Sequence, residues 1–352
     1  MTQSPGIVAL MGSGETSAAG GQIFEAVAAR LDTPLNIRLL ETPAGFELNA
    51  SRVAGRVADY LRSRLQNFHP DLRLVAARKV GTQYSPDAPQ VLEDLYDSRM
   101  IFMGPGSPSY AVRQLQGSLA WQCVQTLQRM GAAVVMASAA TIALGQLALP
   151  VYEIYKVGED PHWKSGLDFF KQYGLSLVFI PHWNNSEGGS EVDTSRCFIG
   201  RERFDPLCAQ LPADTTVVGL DEHTGLVIDF ARQQVEVMGR GQVHLLRNCS
   251  ERAFGEGECF GLDELGPYQP LAEVHSGIDP AWWERVAGER ARHLAQATVE
   301  ESAPPEVLLL VEERQQARQG KNWAESDRLR QQISEMGWKV MDTPQGPQLE
   351  RS

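Results

Sequence analysis

The sequence is poor in cysteine, in basic residues and in long apolar runs, and each shortage excludes a class of protein. Its five cysteines are well separated and form no C-x-x-C pair, so neither a disulfide scaffold nor a structural zinc site is expected. The 32 Lys and Arg residues stand against 44 Asp and Glu residues, giving a formal net charge of −12. This balance argues against nucleic-acid or anionic-membrane binding by the whole surface, while a local basic face stays open.

Membrane insertion is also unexpected. The first apolar run, Gly6 to Met11, is too short for a signal-peptide core or a transmembrane span. Together with the sparse cysteines, this favours a reducing cytoplasm. At 352 residues and 43% hydrophobic residues, the chain has the composition of a globular protein with one large core and an accessory module.

Strands and helices alternate through roughly the first 210 residues, which is typical of a parallel sheet with helices on both faces. The expected strands are Ile7–Met11, Ile37–Glu41, Leu72–Ala77, Met100–Met103, Val134–Ser138 and Leu177–Pro181. The expected helices are Gln22–Leu31, Arg52–Leu65, Tyr110–Arg129 and Ala139–Leu147. Right-handed crossovers then predict an α/β fold with a doubly wound, mostly parallel sheet, whose ligands bind beyond the C-terminal strand ends.

The pattern changes in the last third of the chain. From about Thr215 it becomes short strands with turns, which predict hairpins closing the sheet edge. A connecting segment with a helix, Pro280 to Thr298, follows, and the S-A-P-P sequence at 302–305 marks a hinge. The predicted domains are an α/β domain at 1–250, a connection at 251–303 and a small helical module at 304–352.

The stretch AAVVMASAATIAL, residues 132–144, joins a β-branched run directly to an Ala-rich helix at Ser138. Such a corner lifts the serine hydroxyl out of the sheet, and the helix N–H groups beyond it face a developing oxyanion. The usual pattern is G-x-S-x-G, but Met136 and Ala140 replace both glycines. The competing interpretation is a small packed serine that caps the helix.

The order of elements, this serine corner and two later segments carry a family resemblance. The segments are FIPHWNNSEGGSEVDTSRCFIGRERFDPL and VVGLDEHTGLVIDF. Over residues 6–248 the chain resembles the cyanophycinase and dipeptidase E family of serine peptidases, which have a class I glutamine-amidotransferase-like, flavodoxin-like fold. The resemblance implies that Ser138 is the nucleophile, His182 the general base and Glu222 the acid that completes a triad.

Activation of a serine nucleophile requires the same three types of residue. A serine hydroxyl is a weak nucleophile until an imidazole takes its proton, and the imidazole needs an acceptor that fixes its tautomer. His182 follows the apolar LVFIP run and Glu222 follows VVGLD, so both emerge at strand ends. The alternatives are a histidine that only holds its loop and a glutamate in a simple turn, and Asp221 competes for the acid role.

Further candidates surround this trio. The GPGSPSY loop offers Gly104, Pro105, Gly106 and Ser107, whose backbone, with the N–H of Ala139, suits an oxyanion or substrate carboxylate; the alternative is an ordinary turn. In cyanophycinase-like relatives an arginine-bearing stretch after the histidine borders the active site, which here implicates Arg196, Arg201 or Arg203. The alternative is that these arginines are solvated or paired with acidic neighbours. Catalysis by such a triad is expected to require no cofactor and no metal.

The C-terminal segment carries a second resemblance. ARQGKNWAESDRLRQQISEMGWKVMDTPQGPQLE, residues 317–350, resembles the C-terminal end of bacterial cysteinyl-tRNA synthetases, which helps to hold the tRNA anticodon region. We expect helices at Leu308–Arg318 and Trp323–Met336, a turn at 342–346, and an inner helix face made by the set Trp323, Ile333 and Met336.

This module is close to neutral, with seven Lys/Arg against eight Asp/Glu from Pro305 onward. Lys321, Arg328 and Arg330 are candidates for tRNA phosphates, or else a solvated helix face. No synthetase catalytic motif occurs in the sequence, so the chain is not expected to be a synthetase.

Two functional hypotheses follow. The first is a serine-type hydrolase that cleaves a small peptide or amide bond through an acyl-enzyme on Ser138, with a homo-oligomer as one option for its assembly. The second is a catalytically inactive, peptidase-like binding or regulatory protein, whose C-terminal module contacts tRNA or a protein partner. The missing elbow glycines support the second hypothesis, because bulkier neighbours can bend the corner.

Overall fold

The structure is a computed structural model and describes residues 4–247, 250–301, 303–320, 322–343 and 346–351. The chain divides into two compact units, Met1–Ala287 and Gly288–Ser352. The second unit thus begins inside a helix, whereas the sequence pattern places the start of the module at residue 304. None of the described helices is long and apolar enough to span a membrane.

Sixteen strands and ten α-helices are present in the described residues. The strands are β1 Val8–Met11, β2 Leu35–Leu40, β3 Pro70–Val75, β4 Met100–Met103, β5 Ala133–Ala137, β6 Leu147–Ala148, β7 Lys164–Ser165, β8 Leu177–Ile180, β9 Thr216–Leu220, β10 Thr224–Asp229, β11 Gln234–Gly239, β12 Val243–Arg247, β13 Ser250–Phe254, β14 Cys259–Gly261, β15 Trp338–Thr343 and β16 Gly346–Arg351. The helices are α1 Ala18–Ala28, α2 Ala50–Arg64, α3 Pro89–Tyr96, α4 Pro108–Leu115, α5 Leu119–Arg129, α6 Ala139–Ala143, α7 Arg201–Cys208, α8 Pro280–Glu301, α9 Pro305–Gln319 and α10 Trp323–Glu335.

An eight-stranded sheet in the order β14-β11-β10-β1-β5-β4-β2-β3 forms the centre of the first unit. The five strands β1, β5, β4, β2 and β3 are parallel, and β10, β11 and β14 extend the sheet in antiparallel fashion. Alternate residues of β1 face opposite cores: Val8 and Leu10 lie in the core that includes α3 and α5, and Ala9 and Met11 in the core that includes α1 and α2. The expected α/β architecture with a large, mostly parallel sheet is confirmed.

Two details of the predicted topology are wrong. The expected strand at Leu177–Pro181 does not join the large sheet, because β8 pairs with β9 in a second sheet of order β13-β12-β9-β8. Likewise β9 and β10 do not form a hairpin: β9 pairs with β12, while β10 pairs with β1. The chain therefore crosses from one sheet to the other between Leu220 and Thr224. Both β8 and β9 are buried along their whole length, so their apolar runs give no sign of which sheet they join.

The expected single helix Tyr110–Arg129 is two helices. The chain breaks at Gly117, which has φ of +74°, a left-handed conformation that glycine adopts without steric cost. Ser118 then caps α5 by accepting a 3.2 Å hydrogen bond from the Trp121 N–H. The resulting turn separates α4, which begins beside the serine corner, from α5.

The second unit packs α9, α10 and the β15–β16 hairpin around a small core that includes Val307, Ile333 and Trp338. Of the expected inner face of α10, Ile333 is buried, but Trp323 is 57% and Met336 41% exposed. These two residues stand at the ends of the helix, and the buried stripe runs instead through Ser326, Leu329 and Ile333. The predicted turn at 342–346 includes Pro344 and Gln345, which lie outside the described residues.

An ion pair is buried beside β2 in the first unit. The Arg38 side chain is fully buried; its Nε donates to Asp97 Oδ1 at 2.8 Å and its Nη2 to Asp71 Oδ2 at 2.8 Å. Asp97 is itself buried, so its carboxylate supplies the main charge compensation for this guanidinium.

We therefore expect Asp97→Ala to lower the free energy of unfolding by about 3–5 kcal/mol, because it removes the buried carboxylate of a fully buried cation and leaves only the half-exposed Asp71. The matched control is Asp59→Ala, which removes an exposed pair with Arg62 and should cost about 1 kcal/mol or less. Urea denaturation followed by tryptophan fluorescence measures both. Equal effects of the two substitutions would contradict the prediction.

Candidate active site

Ser138 lies at the corner between β5 and α6 with a strained backbone. Its φ of +52° and ψ of −112° are unusual for a residue with a Cβ, and strain of this kind clusters at functional sites. The Ser138 N–H donates to the Met11 carbonyl at 3.1 Å, which ties the corner to β1. The Ser138 hydroxyl does not cap α6, so the alternative of a capping serine is not what the structure contains.

His182 and Glu222 stand beside this serine. His182 follows β8 by two residues and also has a positive φ, +50°. Its Nε2 is 2.9 Å from Ser138 Oγ, and its Nδ1 is 2.9 Å from Glu222 Oε1. Glu222 lies on the crossover from β9 to β10. The structure thus brings the three expected residues into one hydrogen-bonded chain.

The charge state of Glu222 determines which nitrogen of His182 carries the proton. Burial raises the pKa of the Glu222 carboxyl, but the hydrogen bonds from His182 and Asn185, together with electrostatic attraction to His182 and His223, hold that pKa below its ordinary value. An ionised carboxylate can only accept, so Nδ1 of the neutral imidazole donates to Glu222. Nε2 is then free to accept from the Ser138 hydroxyl.

Asp221, the competing acid, points elsewhere. Its Oδ2 accepts a 2.9 Å hydrogen bond from the Gln242 N–H, and its Oδ1 is 3.4 Å from His244 Nε2. Glu222 is therefore the carboxylate that faces His182.

A cleft of about 320 Å³ opens beside Ser138. One wall is a π-helical turn, Glu153–Val157, of a kind frequent at functional sites. The sequence does not predict this wall, because a π-helical turn leaves no distinct apolar period. The cleft is lined by Gly106, Pro108, Ser138, Ala139, Ile142, Val151, Tyr152, Tyr155, Lys156, His182, Glu187, Cys197 and Phe198.

Two backbone N–H groups border this cleft. Ala139 is the first residue of α6, so its N–H has no acceptor within the helix. Gly106 also lines the cleft, and no group in the described part of the chain accepts from its N–H. A side chain at Gly106 would place Cβ 2.1 Å from the Pro43 carbonyl oxygen, so only glycine brings the backbone this close.

The other expected members of the GPGSPSY loop do not reach the cleft. Gly104 and Pro105 line a separate small pocket. Ser107 makes hydrogen bonds within the fold: its N–H donates to the Pro43 carbonyl oxygen at 2.8 Å, and its hydroxyl oxygen caps α4 by accepting from the Tyr110 N–H at 3.1 Å. The turn interpretation therefore describes Ser107, and Gly106 alone of the four borders the cleft.

The three candidate arginines also lie away from the cleft. Arg196 stacks on the Trp183 ring at 3.6 Å and donates to the Trp183 carbonyl at 3.1 Å. The backbone N–H of Arg201 donates to Asp193, and Arg203 is exposed. Residues 196–198 all have positive φ, a turn that sends Cys197 and Phe198 to the cleft. The cation that lines the cleft is Lys156, which sequence reasoning did not single out.

Comparison with known proteins gives two separate likenesses. A solved structure of a peptidase from an acI-B1 Actinobacterium matches 74% of this chain and 98% of its own, with a TM-score of 0.59 and 20% identity. At that identity the likeness shows a shared fold, so about three quarters of the chain has the fold of this peptidase. No protein-family model matches the chain.

The second likeness is to cysteine–tRNA ligases. The ligase of Caldicellulosiruptor saccharolyticus is 52% identical over 52 residues, which are 15% of this chain and 11% of the ligase. The ligase of Rubrobacter xylanophilus is 41% identical over 108 residues, which are 30% of this chain and 21% of the ligase. The chain thus spans a small fraction of these curated relatives, and the short matches support the resemblance of its C-terminal module.

The lowered pKa of Glu222 predicts a specific dependence of stability on pH. A carboxyl whose folded pKa is depressed stabilises the fold at pH above its unfolded value of about 4.3, and this contribution is lost as pH falls through the folded pKa. Glu222→Gln should therefore lower the melting temperature at pH 7 and flatten its decline below pH ~4. Thermal scans from pH 3 to 7 measure this. Parallel curves for the two proteins would contradict the prediction.

Proposed function

We propose that this protein is a serine-type hydrolase that cleaves a small peptide or amide bond through an acyl-enzyme on Ser138. The observation that carries the proposal is the continuous chain from Ser138 Oγ through the His182 imidazole to Glu222, opening on a cleft. This is the arrangement that turns a serine hydroxyl into a nucleophile.

In the first half of the reaction, Ser138 Oγ attacks the substrate carbonyl carbon while His182 Nε2 takes the hydroxyl proton. Glu222 stabilises the imidazolium that forms. The N–H groups of Ala139 and Gly106 donate to the oxyanion of the tetrahedral intermediate, a donor class worth about 3 kcal/mol each. The intermediate collapses as His182 returns the proton to the leaving amine.

In the second half, a water molecule attacks the acyl-enzyme carbonyl and gives its proton to His182. The same two N–H groups donate to the second oxyanion. Collapse of this intermediate releases the carboxylic acid and returns the proton to Ser138 Oγ. The cycle needs no group from outside the chain except substrate and water, and the cleft volume of about 320 Å³ suits a small substrate.

Two observations favour this enzyme over the alternative of an inactive binding protein. The missing glycines have not bent the corner away, because Ser138 takes its positive φ with alanines on both sides. Met136, which replaces the first glycine, points into the core and is fully buried, so it does not crowd the serine. The few, well-separated cysteines of the sequence agree with a proposed location in the cytoplasm.

A serine-directed fluorophosphonate probe tests the proposal. We expect the wild-type protein to be labelled and Ser138→Ala not to be labelled. His182→Ala should slow labelling by at least about a hundredfold, because the general base is lost. Ser109→Ala, a serine outside the cleft on α4, is the matched control and should label normally. Labelling that survives in Ser138→Ala, or is absent from the wild type, would exclude the acyl-enzyme.

For the C-terminal unit we propose a contact with tRNA, on the strength of its similarity to cysteine–tRNA ligases. Few cations of the unit are available for phosphates. Arg314 and Arg318 pair with Asp342, and Arg328 pairs with Glu325. Of the three candidates, Arg330 is exposed with no ion pair among the described residues, and Lys321 lies outside them. A contact of this size is weak and sensitive to salt.

A gel-shift with bulk tRNA tests this contact in the full-length protein. We expect Arg330→Gln to weaken binding several-fold at low salt and to reduce the salt dependence by about one phosphate contact. Arg62→Gln, an exposed arginine of the first unit, is the control and should bind as the wild type does. The proposal fails if the wild type gives no shift, or if both variants bind equally.

A further inference from the structure

Asn185 lies three residues after His182 and is almost completely buried, with 3% of its surface exposed. Its side-chain Nδ2 donates to Glu222 Oε1 at 2.9 Å, and its backbone N–H donates to the His182 carbonyl at 3.2 Å. A buried asparagine at this place therefore contacts both of the residues that are proposed to activate Ser138.

The orientation of the Asn185 amide is fixed by a second partner. Its Oδ1 accepts a 3.2 Å hydrogen bond from the Glu187 N–H. A backbone N–H can only donate, so the group facing Glu187 must be the oxygen, and the group facing Glu222 must be the NH₂. The amide thus presents a donor to the carboxylate in the only orientation that satisfies both partners.

Asn185 and His182 share one carboxylate oxygen. Both Nδ2 of Asn185 and Nδ1 of His182 lie 2.9 Å from Glu222 Oε1. The Glu222 side chain is 30% exposed and stands on the short crossover between two sheets, so without a second donor its carboxylate could turn toward water. Asn184 Oδ1 accepts from the Glu222 N–H at 2.9 Å and holds the backbone of the same residue.

We propose that Asn185 is a positioning residue that keeps the Glu222 carboxylate oriented on His182. The inference rests on the proposed hydrolase. A neutral donor suits this role, because it favours the ionised carboxylate without adding a positive charge that would cancel its effect on the imidazolium. Asn185 is not among the residues that line the cleft, so its side-chain amide acts through Glu222.

The test is the titration of the His182 imidazole, followed by NMR and assigned with a His182→Gln spectrum. Glu222 stabilises the imidazolium, so loosening the carboxylate in Asn185→Ala should move the His182 midpoint to lower pH. Labelling by the fluorophosphonate probe at pH 7 should slow about tenfold, the loss expected for one hydrogen bond to a charged group. Asn185→Leu keeps the side-chain volume and should do the same if the Ala variant does not fold.

Ser186→Ala is the control, since this neighbouring exposed serine has no side-chain hydrogen bond among those described. An unchanged His182 midpoint in folded Asn185 variants would overturn the inference, even if labelling falls, because a purely structural defect reduces the amount of active protein without moving a titration. The titration needs no activity. It therefore tests Asn185 even if the wild type is not labelled, the result that would overturn the hydrolase.

Discussion

The hydrogen bond between Ser138 and His182 joins residues that follow strands of two different sheets. Ser138 ends a strand of the large sheet, His182 follows a strand of the smaller sheet, and Glu222 lies on the crossover between the two. The site therefore depends on the relative position of the two sheets, since a shift of about 1 Å between them would break the hydrogen bonds among these three residues. The burial of β8 and β9 in the core also fixes the positions of His182 and Glu222, which follow these strands.

The sequence predicts the elements near the site well and their partners poorly. The strand Met100–Met103 has the expected bounds, and the serine corner falls within one residue of its expected place, because apolar runs and small residues mark strand ends. Assignment of β8 to a second sheet was out of reach, since a fully buried strand has the same pattern in either sheet.

The cleft beside Ser138 was harder to predict from the sequence. Its walls depend on two backbone conformations that the residue types do not predict. These are a π-helical turn and a run of left-handed residues, Arg196, Cys197 and Phe198. Left-handed residues are mostly glycine or asparagine, so the residue types of these three did not predict the turn. The family resemblance implied an arginine at the border of the active site, with solvated or paired arginines as the alternative, whereas Arg196 stacks on Trp183. The sequence could predict His182 and Glu222 because each residue closely follows an apolar strand.

The separation of the three site residues along the chain has a consequence for biosynthesis. Ser138 precedes His182 by 44 residues, and His182 precedes Glu222 by 40. As the chain leaves the ribosome, the parallel strands that carry the serine emerge first, and the imidazole and its carboxylate only later. Ser138 therefore emerges before both of its partners, and the hydrogen-bonded chain of the three residues can form only after Glu222 has been synthesised.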